Sequence, residues 1–262
     1  MTPSKRGFSL VELSIVLVIL GLLVGGVLAG QSLIHAAQLR AATEEYNRYN
    51  TALKTFRDKY FGSPGDITNA TAFWGKDTTS VAACPAQTGT APTTGPGTCN
   101  GNGDGFIGIA GTVITNETYR AWQQLAMAGL VEGSYAGTVS VYNATATAGV
   151  DIPQSKVSSQ AGWTIVRLSP SGNSELGYTA LPNVVSTYLV LGKTNVNYWA
   201  QNWFMPAADA WNIDTKIDDG KPSTGMLYGG TAITCANGVF DSTATYNVTS
   251  SNPWCLLLFK LD

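Results

Sequence analysis

Few side chains of this 262-residue sequence are of the types that carry out catalysis. Its one histidine, His35, directly follows an apolar stretch near the N-terminus, so the rest of the chain contains no imidazole. A Ser-His-Asp or Cys-His site in that region would lack its base, and a zinc site there would lack histidine ligands. Carboxylate pairs could hydrolyse glycosides, but no motif arranges them for that reaction. The residue types therefore predict a protein that is not an enzyme.

The chain contains four cysteines, Cys84, Cys99, Cys235 and Cys255. None lies in a CxxC spacing, which disfavours a zinc ribbon or a thioredoxin-like motif. An even number in a chain rich in Gly, Asn and Thr instead indicates two disulfides formed in an oxidising compartment. Of the three connectivities we favour the local one, Cys84–Cys99 with Cys235–Cys255, in which each bond stabilises the fold by roughly 3 kcal/mol. The alternative is four buried, reduced thiols.

One glycine-rich segment places oxygen ligands at alternate positions, as the start of a calcium loop does. Its candidate ligands are Asn100, Asn102 and Asp104. The segment departs from the EF-hand pattern because Asn100 replaces the first aspartate. Gly111 also stands at position 12, where a bidentate glutamate is required. A glycine turn without a cofactor is the interpretation that we favour, and calcium binding is the alternative.

The composition describes a sparsely charged, turn-rich protein. Charged residues make up 12% of the chain, about half of the usual share, and 29 residues are glycine. The net charge of −2 provides no basic field, so bulk charge predicts no binding to nucleic acid.

The N-terminus contains an apolar stretch that is long enough to cross most of a bilayer as a helix, since residues 13–30 include no charge. Lys5 and Arg6 precede it, which predicts a cytoplasmic N-terminus and an exported remainder. Glu12 is the one charge inside the stretch, and a carboxylate there costs on the order of 2.5–3.5 kcal/mol on insertion scales. A cleaved secretory signal peptide and a plain anchor both leave this residue unexplained.

Residues 5–13, Lys-Arg-Gly-Phe-Ser-Leu-Val-Glu-Leu, resemble the class III signal of type IV pilins and type II secretion pseudopilins. The resemblance implies that prepilin peptidase cuts after Gly7 and methylates the new N-terminal residue, Phe8. It also implies that Glu12 neutralises the Phe8 amine of a neighbouring subunit, since opposite charges attract strongly in a low-dielectric seam. Calcium near the C-terminal loops of major pseudopilins makes Asp218 and Asp219 a second candidate metal site, against a solvated turn after a helix.

The function that the resemblance implies is that of a structural subunit of a type IV pilus-like filament. The alternative is a minor tip subunit or adhesin whose head binds a surface or a secreted substrate, which the large head favours. The implied partners are identical or related pilin subunits, prepilin peptidase and an inner-membrane assembly platform. The implied location is the inner membrane, crossed once, before assembly, and a periplasmic or cell-surface filament afterwards.

A heptad-like seam predicts that the N-terminal helix continues beyond its apolar part. The seam residues step by three and four, and they are Leu39, Ala42, Tyr46, Tyr49, Leu53, Phe56 and Tyr60. The predicted helix spans 8–61, about 80 Å, and ends at the Gly-Ser-Pro-Gly of 62–65. The chain is thus divided into a leader (1–7), an apolar half (8–30), an amphipathic half (31–61) and a globular head (62–262).

Within the head, capping and periodicity predict two short helices, from Asn116 to Gly129 and from Pro206 to the turn at 218–220. Alternating apolar residues predict strands at 138–142, 163–168, 187–191 and 255–261. The predicted fold class is α+β, with a protruding helical spine packed on a head that contains a mostly antiparallel sheet.

An aromatic cluster follows the third predicted strand, formed by Tyr198, Trp199, Trp203, Phe204 and Trp211. Such side chains are mostly buried, so we expect core packing rather than stacking on sugars or a partner.

Overall fold

The computed structural model describes residues 9–77, 84, 97–105, 107–108, 117–137, 146–168, 186–195, 198–229, 235–237 and 241–261. The processing residues Gly7 and Phe8 and the predicted strand at 138–142 lie outside these ranges, so the structure does not test them.

The N-terminal helix α1 (Leu10–Tyr60) is one continuous element of 51 residues, about 75 Å long. It begins with a capping box, in which the Ser9 hydroxyl accepts from a backbone amide of the first turn and the Glu12 carboxylate accepts from the Ser9 amide. It ends at Phe61, whose left-handed backbone turns the chain into the Gly-Ser-Pro-Gly segment.

Three shorter helices follow, α2 (Ala70–Trp74), α3 (Glu117–Met127) and α4 (Ala207–Ile217). The helices α3 and α4 are the two that the sequence predicts. Pro206 is the cap of α4 rather than its first residue, because its backbone is extended. The helix α3 is buried on all sides from Glu117 to Leu125, whereas α4 buries one face, with Ala207, Ala210, Ile213 and Asp214.

The main sheet is antiparallel, as expected for this α+β head. Its strands are β1 (Ala161–Leu168), β2 (Ser186–Asn195), β3 (Tyr198–Asn202), β4 (Leu227–Gly229) and β7 (Leu257–Lys260). They pair in the order β1-β2-β7-β4, and β3 extends from β2 across an irregular register. A second, two-stranded sheet consists of β5 (Ala236–Asn237) and β6 (Thr245–Tyr246).

The head packs on the amphipathic half of α1 through the predicted seam, which is buried except for the half-buried Tyr60. Tyr46 stacks on Phe259 of β7, with ring centroids 4.8 Å apart. Tyr49 meets the edges of Trp122 of α3 and Trp163 of β1, at 4.9 and 5.6 Å. These rings join helix, sheet and α3 into one core.

Both disulfides have the local pairing that we favour. Cys84 and Cys99 lie 5.5 Å apart at their Cα atoms, and Cys235 and Cys255 lie 5.1 Å apart. The second bond connects the start of the small sheet to the chain that leads into β7.

The aromatic cluster is not uniformly buried. Trp203 and Trp211 are 47% and 46% exposed, so the expectation of core packing is wrong for them. Trp203 stacks instead on Trp254, another exposed ring, with centroids 6.0 Å apart. Phe204 is partly buried against the core, as expected.

Candidate functional site

The beginning of α1 holds the one carboxylate of the apolar stretch in a defined position. The Ser9 amide donates to Glu12 Oε2 at 2.9 Å, and the Val11 amide donates to Ser9 Oγ at 3.3 Å. Ser9, Val11 and Glu12 are all exposed on the surface of the subunit. The Glu12 carboxylate therefore lies beside the first turn of the helix and caps Ser9, the residue that follows the predicted mature N-terminus, Phe8, in the sequence.

In the parts of the chain that the structure describes, the apolar half of α1 has no packing partner within its own subunit. Its large side chains are exposed on all sides of the helix, and they are Leu10, Val11, Leu13, Ile15, Val16, Leu17, Val18, Ile19, Leu20, Leu22, Leu23, Val24, Val27 and Leu28. A helix that is apolar around its circumference is typical of a membrane span or of a helix buried in an assembly. In the described part of the chain, α1 is also the one helix long and apolar enough to cross a membrane.

A buried carboxylate fixes the head on α1. Glu45 is 3% exposed and accepts three hydrogen bonds from residues that follow it by more than 100 positions. The donors are Ser155 Oγ at 2.7 Å, the Lys156 amide at 2.9 Å and Trp163 Nε1 at 2.8 Å. Sequence analysis missed Glu45, although its place between the seam residues Ala42 and Tyr49 could have revealed it.

The base of the head contains a cavity between α1 and α4. Its volume is about 380 Å³, and its walls include Ala36 and Leu39 of α1 and Trp211 of α4, with Val248 on a neighbouring loop. His35 Nε2 lies 2.9 Å from Asp209 Oδ1 at the same place, which joins the two helices.

The predicted calcium loop lies in a cluster of carboxylates from three parts of the chain. Asp104, Asp66 and Glu117 each offer an oxygen within 4.8 Å of the others. The Asn102 amide group donates to Asp104, whereas Asn100 accepts from the Thr71 amide of α2. Asp66 and Glu117 were missed because they lie outside the glycine-rich segment.

The hydrogen bonds of this cluster also satisfy a glycine turn. Asp66 accepts from the amides of Gly103 and Gly105, at 2.8 and 3.0 Å. Glu117 accepts from the Gly108 amide at 3.0 Å. Burial, and to a smaller extent the charge of the neighbouring Asp66, raises the pKa of Glu117 to about 7.

The second candidate site is a turn at the end of α4. Asp218 and Asp219 come together with Asp214, which is fully buried and was missed by the sequence analysis. Asp214 accepts from the Tyr246 hydroxyl at 2.7 Å and from the Gly220 amide at 3.0 Å. Burial raises its pKa to about 7. Carboxylate oxygens suit calcium, and the same bonds close the turn without it.

The raised carboxyl pKa values predict that the folded state loses stability as the pH rises. A group whose pKa is raised on folding holds its proton more tightly in the folded state, so its contribution is complete below about pH 4.5 and lost through pH 7. We expect the free energy of unfolding to fall between pH 5 and 8, by about 1–2 kcal/mol from Glu117. Glu117→Gln should remove that part of the slope.

Denaturant unfolding of the full chain in detergent, followed by tryptophan fluorescence at several pH values, measures this slope. Asp104→Asn is the matched control, because Asp104 is exposed in the same cluster. Equal slopes for the wild-type chain and Glu117→Gln would contradict the prediction.

Comparison with known proteins gives one match, at the N-terminus. Residues 2–28 match the family model of the prokaryotic N-terminal methylation motif. No curated protein and no solved structure matches the chain significantly. The matched range contains Gly7, Phe8, Glu12 and most of the exposed apolar helix. The resemblance noted in residues 5–13 is thereby confirmed, and residues 2–28 carry the N-terminal methylation motif that is the signature of type IV pilins and pseudopilins.

Proposed function

We propose that this chain is a structural subunit of a type IV pilus-like filament, processed by prepilin peptidase and assembled through α1. The observation that carries the proposal is the methylation motif at the start of a helix whose apolar half is exposed on every side. In a membrane, lipid covers this surface. In a filament, the same surface packs against copies of itself or against related pilin subunits.

In this proposal Glu12 directs the transfer from membrane to filament. After cleavage behind Gly7, the mature chain begins with the Phe8 amine, which carries a positive charge. Among the described residues, the exposed Ser9 amide donates to Glu12, which is itself exposed, so the carboxylate is accessible to a neighbour's amine. Pairing of the two charges offsets the cost of burying each in an apolar seam, and it fixes the relative height of neighbouring helices.

The four glycines of the apolar part of α1 support close packing between subunits. They are Gly21, Gly25, Gly26 and Gly30, and a Cβ added at any of them would meet no described atom within 4 Å outside the adjacent backbone of α1. Within the described residues, their small size therefore serves no contact of the subunit with itself. Small residues allow two helix backbones to approach closely, which is how many membrane helices associate.

The orientation of the subunit in the membrane before assembly follows from the positive charges that precede α1. Lys5 and Arg6 keep the leader on the cytoplasmic side, where the peptidase and the inner-membrane assembly platform act. The head, with two disulfides, lies on the oxidising side. The mature subunit then ends in a periplasmic or cell-surface filament.

A second candidate function is a minor tip subunit or adhesin, and one observation favours it. Trp203 and Trp254 form a stacked, exposed pair on the head, although large aromatic rings are usually buried. No charged residue lies within 198–206 or 248–256. A neutral ring surface of this kind fits a neutral partner, such as a glycan.

Calcium binding at either acidic turn stays a prediction. The Asp66 cluster and the Asp214 cluster have the ligand type, but their carboxylates already accept backbone hydrogen bonds. A rise in stability with millimolar calcium at pH 8, lost in Asp104→Asn or Asp218→Asn, would identify the cluster that binds. No rise in the wild-type chain would favour the glycine turn and the solvated turn.

The abundance of the chain in sheared surface filaments tests the proposed function. A major subunit should be the dominant band of the sheared fraction from the native host, whereas a tip subunit should appear in traces. Gly7→Val is the control, because an unprocessed chain should stay in the membrane fraction. Absence of the wild-type chain from every filament preparation, with the chain present in the membrane, would contradict the proposal.

A further inference from the structure

The end of α1 is the most unusual position of the described backbone. Among the described residues, Phe61 is the one non-glycine with a positive φ, at 56°. A bulky residue is disfavoured there, and glycine is the usual choice where a helix ends in this way. The Phe61 side chain is also 94% exposed, so no packing against the described residues compensates for the strained backbone. A contact outside the subunit would account for both features.

A cavity large enough for an aromatic ring lies elsewhere on the same chain. The cavity between α1 and α4 has a volume of about 380 Å³, and Trp211 and Val248 line it with exposed apolar surface. It lies beside His35, where the exposed part of α1 enters the head. Phe61 and this cavity are thus at opposite ends of the docked part of one helix.

The spacing of the two features suits copies that are displaced along the helix axis. Positions 35 and 61 are separated by 26 residues of one helix, about 39 Å. A copy displaced by that distance brings its cavity to the height of Phe61 of the first copy. The same displacement places its residues 13–34 beside residues 39–60 of the first copy. Residues 13–34 carry most of the exposed apolar surface of α1, so this displacement also brings that surface beside another subunit.

We propose that Phe61 of one subunit inserts into the α1–α4 cavity of a second subunit, which is displaced by about 39 Å along the filament axis. The occupant of the cavity is thus a second copy of this chain. Such a contact joins two different surfaces head to tail, and repeated contacts of this type produce an open helical filament rather than a closed dimer. The inference rests on the proposed function and specifies how the heads, in addition to the apolar helices, hold the filament together.

The variant Phe61→Gly distinguishes the role of the Phe61 side chain in assembly from its role in folding. Glycine adopts the left-handed conformation without strain, so the melting temperature of the full chain in detergent should be unchanged or higher. The yield of sheared filaments should fall about tenfold or more, because a buried aromatic ring is lost from every subunit contact. Val150→Ala is the control, since it removes exposed apolar surface elsewhere on the head.

The partner surface is tested by Val248→Asp, which places a charge in the cavity. It should lower the yield to a similar extent, and the double variant Phe61→Gly/Val248→Asp should assemble no worse than either single variant. Additive losses would mean that the two sites act independently and would overturn the contact.

Photo-crosslinking identifies the occupant directly. Benzoylphenylalanine at position 61 of assembled filaments should form adducts with peptides from 207–217 or around 248 of a second copy. Adducts with lipid, with another protein or with a different part of the chain would overturn the inference. If Phe61→Gly assembles as the wild-type chain does, the contact is wrong and the proposed function stands. If the wild-type chain forms no filaments, both are wrong.

Discussion

Replacement of Glu12 by leucine is expected to abolish filament assembly while the head keeps its fold. Leucine extends the apolar surface of α1 and is a better helix former, so insertion into the membrane should improve. The variant loses the carboxylate that pairs with a neighbour's Phe8 amine, and that amine would then be buried without a counter-charge. Breaking a buried pair in this way costs about 3–5 kcal/mol, which corresponds to a hundredfold or greater loss of assembly.

The ratio of the chain in sheared filaments to the chain in the membrane measures this effect. Glu44→Leu is the matched control, because Glu44 is an exposed glutamate on the same helix. We expect the control to leave the ratio within a factor of about two. A wild-type ratio for Glu12→Leu would show that the carboxylate has no part in assembly.

The second large effect concerns Glu45, the buried carboxylate of α1 that accepts hydrogen bonds from the head. Glu45→Ala should lower the free energy of unfolding by about 3 kcal/mol or more, because it leaves three donors without their acceptor. Trp163 is among these donors and also packs against Tyr49 of the seam, so the loss reaches the centre of the core. Glu45→Gln should cost less, since one carbonyl oxygen remains to accept.

Chemical denaturation followed by tryptophan fluorescence measures the loss of this contact, because Trp163 donates to the Glu45 carboxylate itself. Glu44→Ala provides the comparison at the adjacent, exposed position and should change stability by less than about 0.5 kcal/mol. Similar midpoints for the two alanine variants would show that the buried carboxylate does not stabilise the head.

Local patterns in the sequence predicted the elements well. The seam of α1, the helices α3 and α4, and strands within β1, β2 and β7 follow from periodicity and capping, which depend on neighbouring residues. The two disulfides were favoured because they close short loops. The N-terminal motif was identified because its residues are contiguous.

Features that depend on distant residues could not be predicted in this way. Glu45 finds its donors more than 100 positions away, and its burial is set by how the head docks. Asp66 and Asp214 join loops that are distant in sequence from their partners. The position of β7 between β2 and β4 likewise requires pairing between segments that the sequence separates widely. The exposure of Trp203 and Trp211 is a result of the same long-range packing.

The N-terminal peptide of the protein made in its native host tests the central claim most directly. Mass spectrometry should find a chain that begins at Phe8 and carries one added methyl group, which requires cleavage after Gly7 by prepilin peptidase. The cleaved signal peptide that is the alternative would end at the small-residue site Val27-Leu28-Ala29. A chain that begins after Ala29 would therefore contradict the account, because an exported head without its apolar helix could not assemble into a filament through that helix.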